Sequence, residues 1–450
     1  MKKRLAGLLA VLMLLSLTAV PAMAEESQEP EMQPVPIWAY DTLADACALG
    51  LWDESYAATH TETITETGMD ALTAVVREKT ALLDVSEAGS WEESPFDSTR
   101  GGVLEELCRA AAGCFPQDMD SYDYLARLGV IQGDGGSLSL ERPCTQMEAV
   151  VLSTRLVLAL YDQQNAGSLG LLWKAEGNGN TLYLLGTAHV DRNNIYPFHK
   201  QLRDTIASAE EVIFELDFND LEDAAAFAAM QMYSDGTGLK DHVSAEVYER
   251  TVTVGEMIGL PEEQINLFKP WALALSFEAL SLQDETTGDS AMAVDLYINA
   301  AAVNRGIDIG AVESYVYQGA LFDTLSAQYQ EDYLASCLAL ILGETGEDAD
   351  LSEEVDAQMT AIVETWKERD IAGFEEVYDK DAILNSDNEL SVRLFEERDP
   401  NMVAAADGYL KDGTGHVRML VVGAGHMVGE TGVVQGLKDL GYTVETVPVP

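Results

Sequence analysis

At 450 residues, 47% hydrophobic and 8% aromatic, the chain has material for a substantial core and for two or more domains, which excludes a disordered tail or a small disulfide scaffold. With 77 acidic against 26 basic residues the formal charge is -51, which disfavours nucleic-acid phosphates and anionic membranes as partners. Divalent cations and basic peptides suit such a field, although an acid-rich surface that keeps the chain soluble explains the composition equally well.

The first stretch, "MKKRLAGLLAVLMLLSLTAVPAMAEE", has a basic start, an apolar run from Leu5 to Val20 and small residues at Ala22 and Ala24. It reads as a secretory signal over residues 1–24, so the mature protein is expected to be secreted or cell-wall associated. The apolar run is short for a membrane span, no cysteine follows for lipid attachment, and no later segment reads as a transmembrane helix. Residues 25–36, polar and proline-bearing, read as a linker.

From 37 to 164 the pattern is helical. In "WAYDTLADACALGLW" Leu43, Ala46, Cys47 and Leu51 share one face, with Gly50 near the end. "ITETGMDALTAVVREKTALL" begins with a threonine-capped, acid-led turn. "YDYLARLGVIQGDGGSLSLERPCTQMEAVVLSTRLVLAL" repeats the plan, a helix ending near Gly129 and a second one led by Thr145 and Glu148. These two copies of helix, loop and helix resemble S-layer homology repeats. The resemblance implies contact with a cell-wall polymer through a Thr-Arg-x-Glu helix start, but the matching runs here, "ITET" and "CTQME", lack the arginine. A purely structural helical module is the other reading. Cys47, Cys108, Cys114, Cys144 and Cys337 are too few and irregular for a disulfide framework and lack metal-ligand spacing. Cys108 and Cys114 could pair across a short loop, while buried small residues is the reading for most of the five.

"NAGSLG", residues 165–170, reads as a boundary linker. From 171 to 450 strand-like and helical runs alternate, which predicts an α/β domain with a mainly parallel central sheet and a helical middle insertion, about Leu221 to Ala301, behind the small helical module. "LLWKAEGNGNTLYLLGTAH" predicts a hairpin turning at Gly-Asn-Gly-Asn. Trp271 and Phe277, in a helix that Pro270 can start, are expected in the core.

Four apolar runs end in ionisable residues: "TLYLLGTAH" in His189, "EEVIFELD" in Glu215 and Asp217, "GIDIGAVES" in Glu313, "VRMLVVGAGH" in His426. In a parallel sheet the carboxyl ends of strands lie at one edge, where ligands bind. Two imidazoles and two or three carboxylates there are costly to bury unless they pair or hold a metal. Such ligands suit Mn, Fe, Co or Zn, and the lack of thiolates argues against a closed structural zinc site. Gly186 and Gly423, each three residues before a histidine, are expected to permit positive φ and close backbone approach. "MVGETGVVQGLKDLGYTVETVPV" predicts a helix over about Glu430 to Leu440, a stop at Gly441 and a last strand. Its "GAGHMVG" start also fits a dinucleotide loop, a poorer reading because the glycine spacing is non-standard and an imidazole would crowd a pyrophosphate. His60, His199, His242 and His416 lack the strand-tip pattern, and His199 is expected at the surface.

The paired "GTAH" and "GAGH" motifs, with "VIFELD", "KPWALA", "AVDLYI" and "GAVESYVYQ" between them, resemble the TraB/GumN family, which includes the Tiki-type metallopeptidases. The resemblance covers about Leu171 to Val449. It implies a metal-dependent peptidase with His189, His426 and Glu215 at the metal, Mn or Co in the first place and Zn or Fe as further candidates. Glu313 matches a second acidic strand end, and either glutamate suits a general base. Arg398 matches an arginine that the family usually follows with Asn, where this chain has Asp399. A non-catalytic module that sequesters a peptide, and a hydrolase of small esters, are the alternatives.

Overall fold

A computed structural model describes residues 34–52, 54–84, 95–116, 119–131, 138–188, 195–281, 292–343, 349–386 and 388–450. The leader expected over 1–24 and His189 lie outside the described residues. No helix among the described residues is long and apolar enough to cross a membrane.

The N-terminal part is built of helices Tyr40–Ala48, Glu66–Thr80, Arg100–Ala110, Ser121–Arg127 and Gln146–Gln163. Their starts follow the expected chemistry: Thr65 Oγ1 accepts from the Gly68 amide, and Thr145 with Glu148 forms a reciprocal capping box. The first helix departs from its predicted face. Leu43 and Cys47 are only half-buried, whereas Ala44, Asp45, Ala46 and Ala48 are buried, because the helix packs on two sides, against Gln146–Gln163 and against Val294–Arg305. Asp45 is held there by the Tyr297 hydroxyl, which donates to its Oδ1 at 2.8 Å. Burial pushes the Asp45 carboxyl up, while Arg203 and this hydrogen bond oppose the rise.

Residues 165–170 are tied down rather than free. His199 Nε2 lies 3.2 Å from Asn165 Oδ1, and the buried Arg369 guanidinium donates to Gly170 O at 2.8 Å and Leu169 O at 2.5 Å. His199, expected at the surface, is buried and caps the helix Lys200–Ser208. His60 is buried as well, edge-on to Trp52. Cys108 and Cys114 form no disulfide.

Beyond this connection lies a mixed sheet with six strands among the described residues, in the spatial order Asp308–Ala311, Glu211–Phe214, Val417–Gly423, Asn180–Thr187, Leu171–Gly177 and Val444–Thr446. Strands β1 (Leu171–Gly177) and β2 (Asn180–Thr187) form the predicted hairpin, turning at Asn178 and Gly179 with φ of 51° and 87°. β3 (Glu211–Phe214), β4 (Asp308–Ala311) and β5 (Val417–Gly423) run parallel to β2, whereas β6 (Val444–Thr446) pairs antiparallel with β1. The helical middle is present between β3 and β4, with Trp271 and Phe277 buried as expected. A second helical run, from Tyr315 to Lys411, fills the space between β4 and β5 where the sequence suggested alternation with strands. Its amphipathic helices cover the sheet through Trp366, Phe374, Phe395 and Met402. One contiguous apolar core runs from the N-terminal helices through the sheet.

A smaller core, formed chiefly by Ala245–Met257, Pro270–Ser281 and Ala327–Ile341, buries Glu278, whose Oε2 accepts from the Tyr333 hydroxyl at 2.5 Å. Burial pushes this carboxyl from its ordinary 4.5 up to about 8, more than the Tyr333 bond lowers it. A carboxyl raised in the fold favours the folded chain at low pH. That contribution should be lost as pH climbs from about 4.5 to about 8, on the order of a few kcal/mol. Urea unfolding of the wild type across this range should show the decline, and Glu278→Gln should flatten it.

Candidate active site at the strand tips

Parallel pairing decides where the acidic tips fall. The β3–β4 ladder continues past both strands, since the Val312 amide donates to Phe214 O and the Glu313 amide to Glu215 O, each at 2.9 Å. Glu215 and Glu313 therefore leave the sheet side by side. Two carboxylates so placed repel each other unless a cation intervenes.

Arg398 is that cation. It stands wholly buried at the start of the helix Asp399–Lys411; its Nε donates to both Glu313 oxygens at 3.0 Å, and its Nη2 to Glu215 Oε2 at 2.5 Å and Glu313 Oε2 at 2.9 Å. Gln318 Nε2 adds bonds to Glu313 Oε2 at 2.9 Å and Glu215 Oε2 at 3.3 Å. The Gly423 amide, at the end of β5, donates to Glu215 Oε1 at 2.7 Å. Burial alone would raise the Glu215 carboxyl. Arg398, then His426 and the Gly423 amide, override it and hold it down at about 2. The two glutamates differ in access: the Glu215 side chain is 13% exposed and Glu313 only 2%. Glu215 also borders a small cavity lined by Thr187, Phe214, Phe218, Asp295, Val421 and Val422. Two buried atoms of this network, Arg398 Nη1 and Gln318 Oε1, have no partner among the described residues.

His426 belongs to a second network. It sits in the one-turn helix Ala424–Met427 that follows β5, and its Nδ1 lies 2.7 Å from Asp399 Oδ1. Asp399 Oδ2 accepts from Lys380 Nζ at 2.7 Å and from the Thr431 hydroxyl at 2.8 Å. Lys380 reaches inward because Asp379, at φ 44°, breaks the helix Ile371–Tyr378 from Lys380–Leu384, a left-handed turn that Asp tolerates. The Lys380 ammonium also lies 4.8 Å over the Phe395 ring. No described residue bonds to His426 Nε2.

The glycines act through space rather than through backbone torsion. Gly423 has φ of -51°, and neither it nor Gly186 is left-handed. A Cβ on Gly186 would lie 2.9 Å from Ala424 Cα, so β2 and β5 can approach at their tips only without a side chain there. A Cβ on Gly425 would lie 2.4 Å from the Tyr378 hydroxyl. Trp366 completes the tip of β2, its indole N–H donating to Gly186 O at 2.7 Å.

Of the residues singled out in sequence, Glu215, Glu313 and Arg398 form one network and His426 lies close enough to influence the Glu215 charge. Asp217 turns aside, its Oδ1 accepting from the Asn219 amide at 2.9 Å. Asp399, Lys380, Gln318 and Tyr378 were missed. Only Asp399 carried a local signal, an Asp-Pro helix start directly after Arg398.

Among the described residues no three His, Cys, Asp or Glu side chains are grouped to hold a metal ion. Donor chemistry nonetheless suits a metal at two atoms: a histidine nitrogen with its other nitrogen on a carboxylate, and an anionic oxygen of the part-exposed Glu215. Donors occupy both oxygens of each glutamate, and Glu313 suits a metal less because its side chain is 2% exposed against 13% for Glu215. Wider grooves along Arg127, Arg155 and Lys200 carry none of the strand-tip residues.

A model of the TraB/PrgY/gumN family matches residues 171–446, more than half of the chain, and the protein belongs to that family. Comparison with curated proteins gave no match, and comparison with solved structures gave none either.

Removing the central cation leaves two buried carboxylates facing each other. Arg398→Met should destabilise the fold by about 3–5 kcal/mol, measured by urea unfolding at neutral pH. In the wild type, the depressed Glu215 contributes stability above about 4.5 that is lost as pH falls toward about 2. The variant should lose this acid limb.

Proposed function

We propose that the protein is an extracytoplasmic, metal-dependent hydrolase acting on peptides. The observation that carries this reading is His426: its Nδ1 faces a buried carboxylate, its Nε2 has no partner among the described residues, and the ring lies close enough to influence the anionic, part-exposed Glu215. Family membership supports the reading for the whole strand-tip set. His426 and Glu215, with His189 from the other Gly-x-x-His motif, would hold the ion; Mn or Co is the first expectation and Zn or Fe the second. Bound there, a divalent ion would supply Lewis-acid chemistry, lowering the pKa of a water and polarising a carbonyl.

The chain's own residues divide the remaining work. Arg398 and the Gly423 amide keep Glu215 ionised at every physiological pH, which suits a ligand and ill suits a general base, whose pKa should lie near the working pH. Glu313, sealed from solvent, orients Arg398 rather than meeting substrate. The acidic surface favours encounter with basic peptides. The signal-like sequence of residues 1–24 supports a site of action outside the cytoplasm.

The engagement of both glutamates by Arg398 favours a second reading, a module that binds a peptide without cutting it. Residues 25–450 should be assayed for bound metal by elemental analysis and for cleavage of a peptide library by mass spectrometry, beside His426→Ala and Glu215→Ala. The hydrolase reading expects a stoichiometric metal and cleavage products in the wild type, with both reduced at least tenfold in each variant. Peptides recovered intact from a metal-free wild type would instead support the binding module.

A further inference from the structure

We infer that Lys380 and Asp399 act together as positioning residues that fix His426 as its Nδ1–H tautomer and leave the lone pair on Nε2. This deepens the reading above but is measured on the metal-free protein, so the two can fail separately.

The argument is one of donors and acceptors. A lysine ammonium offers only donors and a carboxylate only acceptors. Lys380 Nζ donates to Asp399 Oδ2 at 2.7 Å and to Val428 O at 3.1 Å, and the Thr431 hydroxyl donates to the same Oδ2 at 2.8 Å. With Oδ2 so occupied, Oδ1 is left to face His426 Nδ1 at 2.7 Å. In a buried ion pair with the Lys380 ammonium, and with the Thr431 hydroxyl donating to the same oxygen, Asp399 meets the ring as a carboxylate, which can only accept. Nδ1 must therefore be the nitrogen that carries the proton. The ring has little freedom to turn: the His426 side chain is 5% exposed, Asp399 is fully buried, and Phe395 lies 5.2 Å away centroid to centroid.

The same logic explains why a carboxylate rather than an amide stands here. An asparagine at 399 would have to turn its oxygen toward the Lys380 ammonium, which has nothing to accept with. Its NH2 group would then face His426 Nδ1, which could only accept, and the neutral ring's proton would move to Nε2. Lys380 thereby makes the choice of residue at 399 decisive for which histidine nitrogen is free.

Nitrogen-15 NMR of histidine-labelled, metal-free protein in mildly alkaline buffer reads the tautomer directly. The chain has six histidines, and His426→Gln assigns the signal. Expected are a protonated Nδ1 and a bare Nε2 in the wild type, the inverted pattern in Asp399→Asn, and a return of the Nδ1–H form in Asp399→Asn/Lys380→Met, where the amide is free to turn. Titration with Mn2+ and Zn2+ should show binding about 10–100-fold weaker in Asp399→Asn and partly recovered in the double variant. A wild-type ring protonated on Nε2, or an Asp399→Asn spectrum unchanged from wild type, would overturn the inference. If Asp399→Asn does not fold by circular dichroism, the wild-type spectrum decides alone. The expected tautomers in a protein that binds no metal would uphold this inference and count against the hydrolase.

Discussion

The strand-tip region depends on one buried guanidinium. Parallel pairing of β3 and β4 delivers Glu215 and Glu313 to neighbouring rungs, and nothing in the ladder itself relieves their repulsion. Arg398 does so with a planar fork that a lysine could not reproduce, its Nε and Nη2 together spanning both carboxylates. Its second effect is electrostatic. A carboxylate depressed to about 2 by a fixed cation is a permanent charge, available to hold a positive ligand and useless for passing protons near neutrality.

Arg398 and Asp399 are consecutive, yet they serve different networks. The arginine reaches back to the tips of β3 and β4, and the aspartate turns to His426 beyond β5. The start of the helix Asp399–Lys411 is thus the joint between the acidic tips and the histidine tip, and any shift of that helix would move both. Buried ionic pairs are expensive to desolvate and poor sources of stability. Two of them at one helix start, with an orphaned Arg398 Nη1 beside them, mark a place where packing has been subordinated to charge placement.

Periodicity and punctuation made the periphery of this arrangement legible. The Asn-Gly turn of the hairpin, the capping box at Thr145 and the apolar runs ending in Glu215, Glu313 and His426 all reflect local chemistry that survives folding unchanged. Residues whose role depends on a distant partner were not legible. Lys380 sits in "YDKDAIL", where a lone lysine between aspartates reads as a solvated surface residue; only the left-handed turn at Asp379 sends it inward. Asp45 looked like the polar side of an amphipathic helix because the sequence does not reveal that a second partner covers that side. The glycines of both motifs were recognised as special for a reason half right: close approach was needed, positive φ was not.

The helix Val294–Arg305 has a double allegiance. Asp295, in its first turn, borders the cavity beside Glu215, while Tyr297 two residues further on reaches Asp45 of the N-terminal helices. The change from helical to alternating pattern near residue 165 therefore marks a change of architecture without marking a seam in the core. A lineage that gained or shed the N-terminal helices by recombination would have to resurface this helix at the same time.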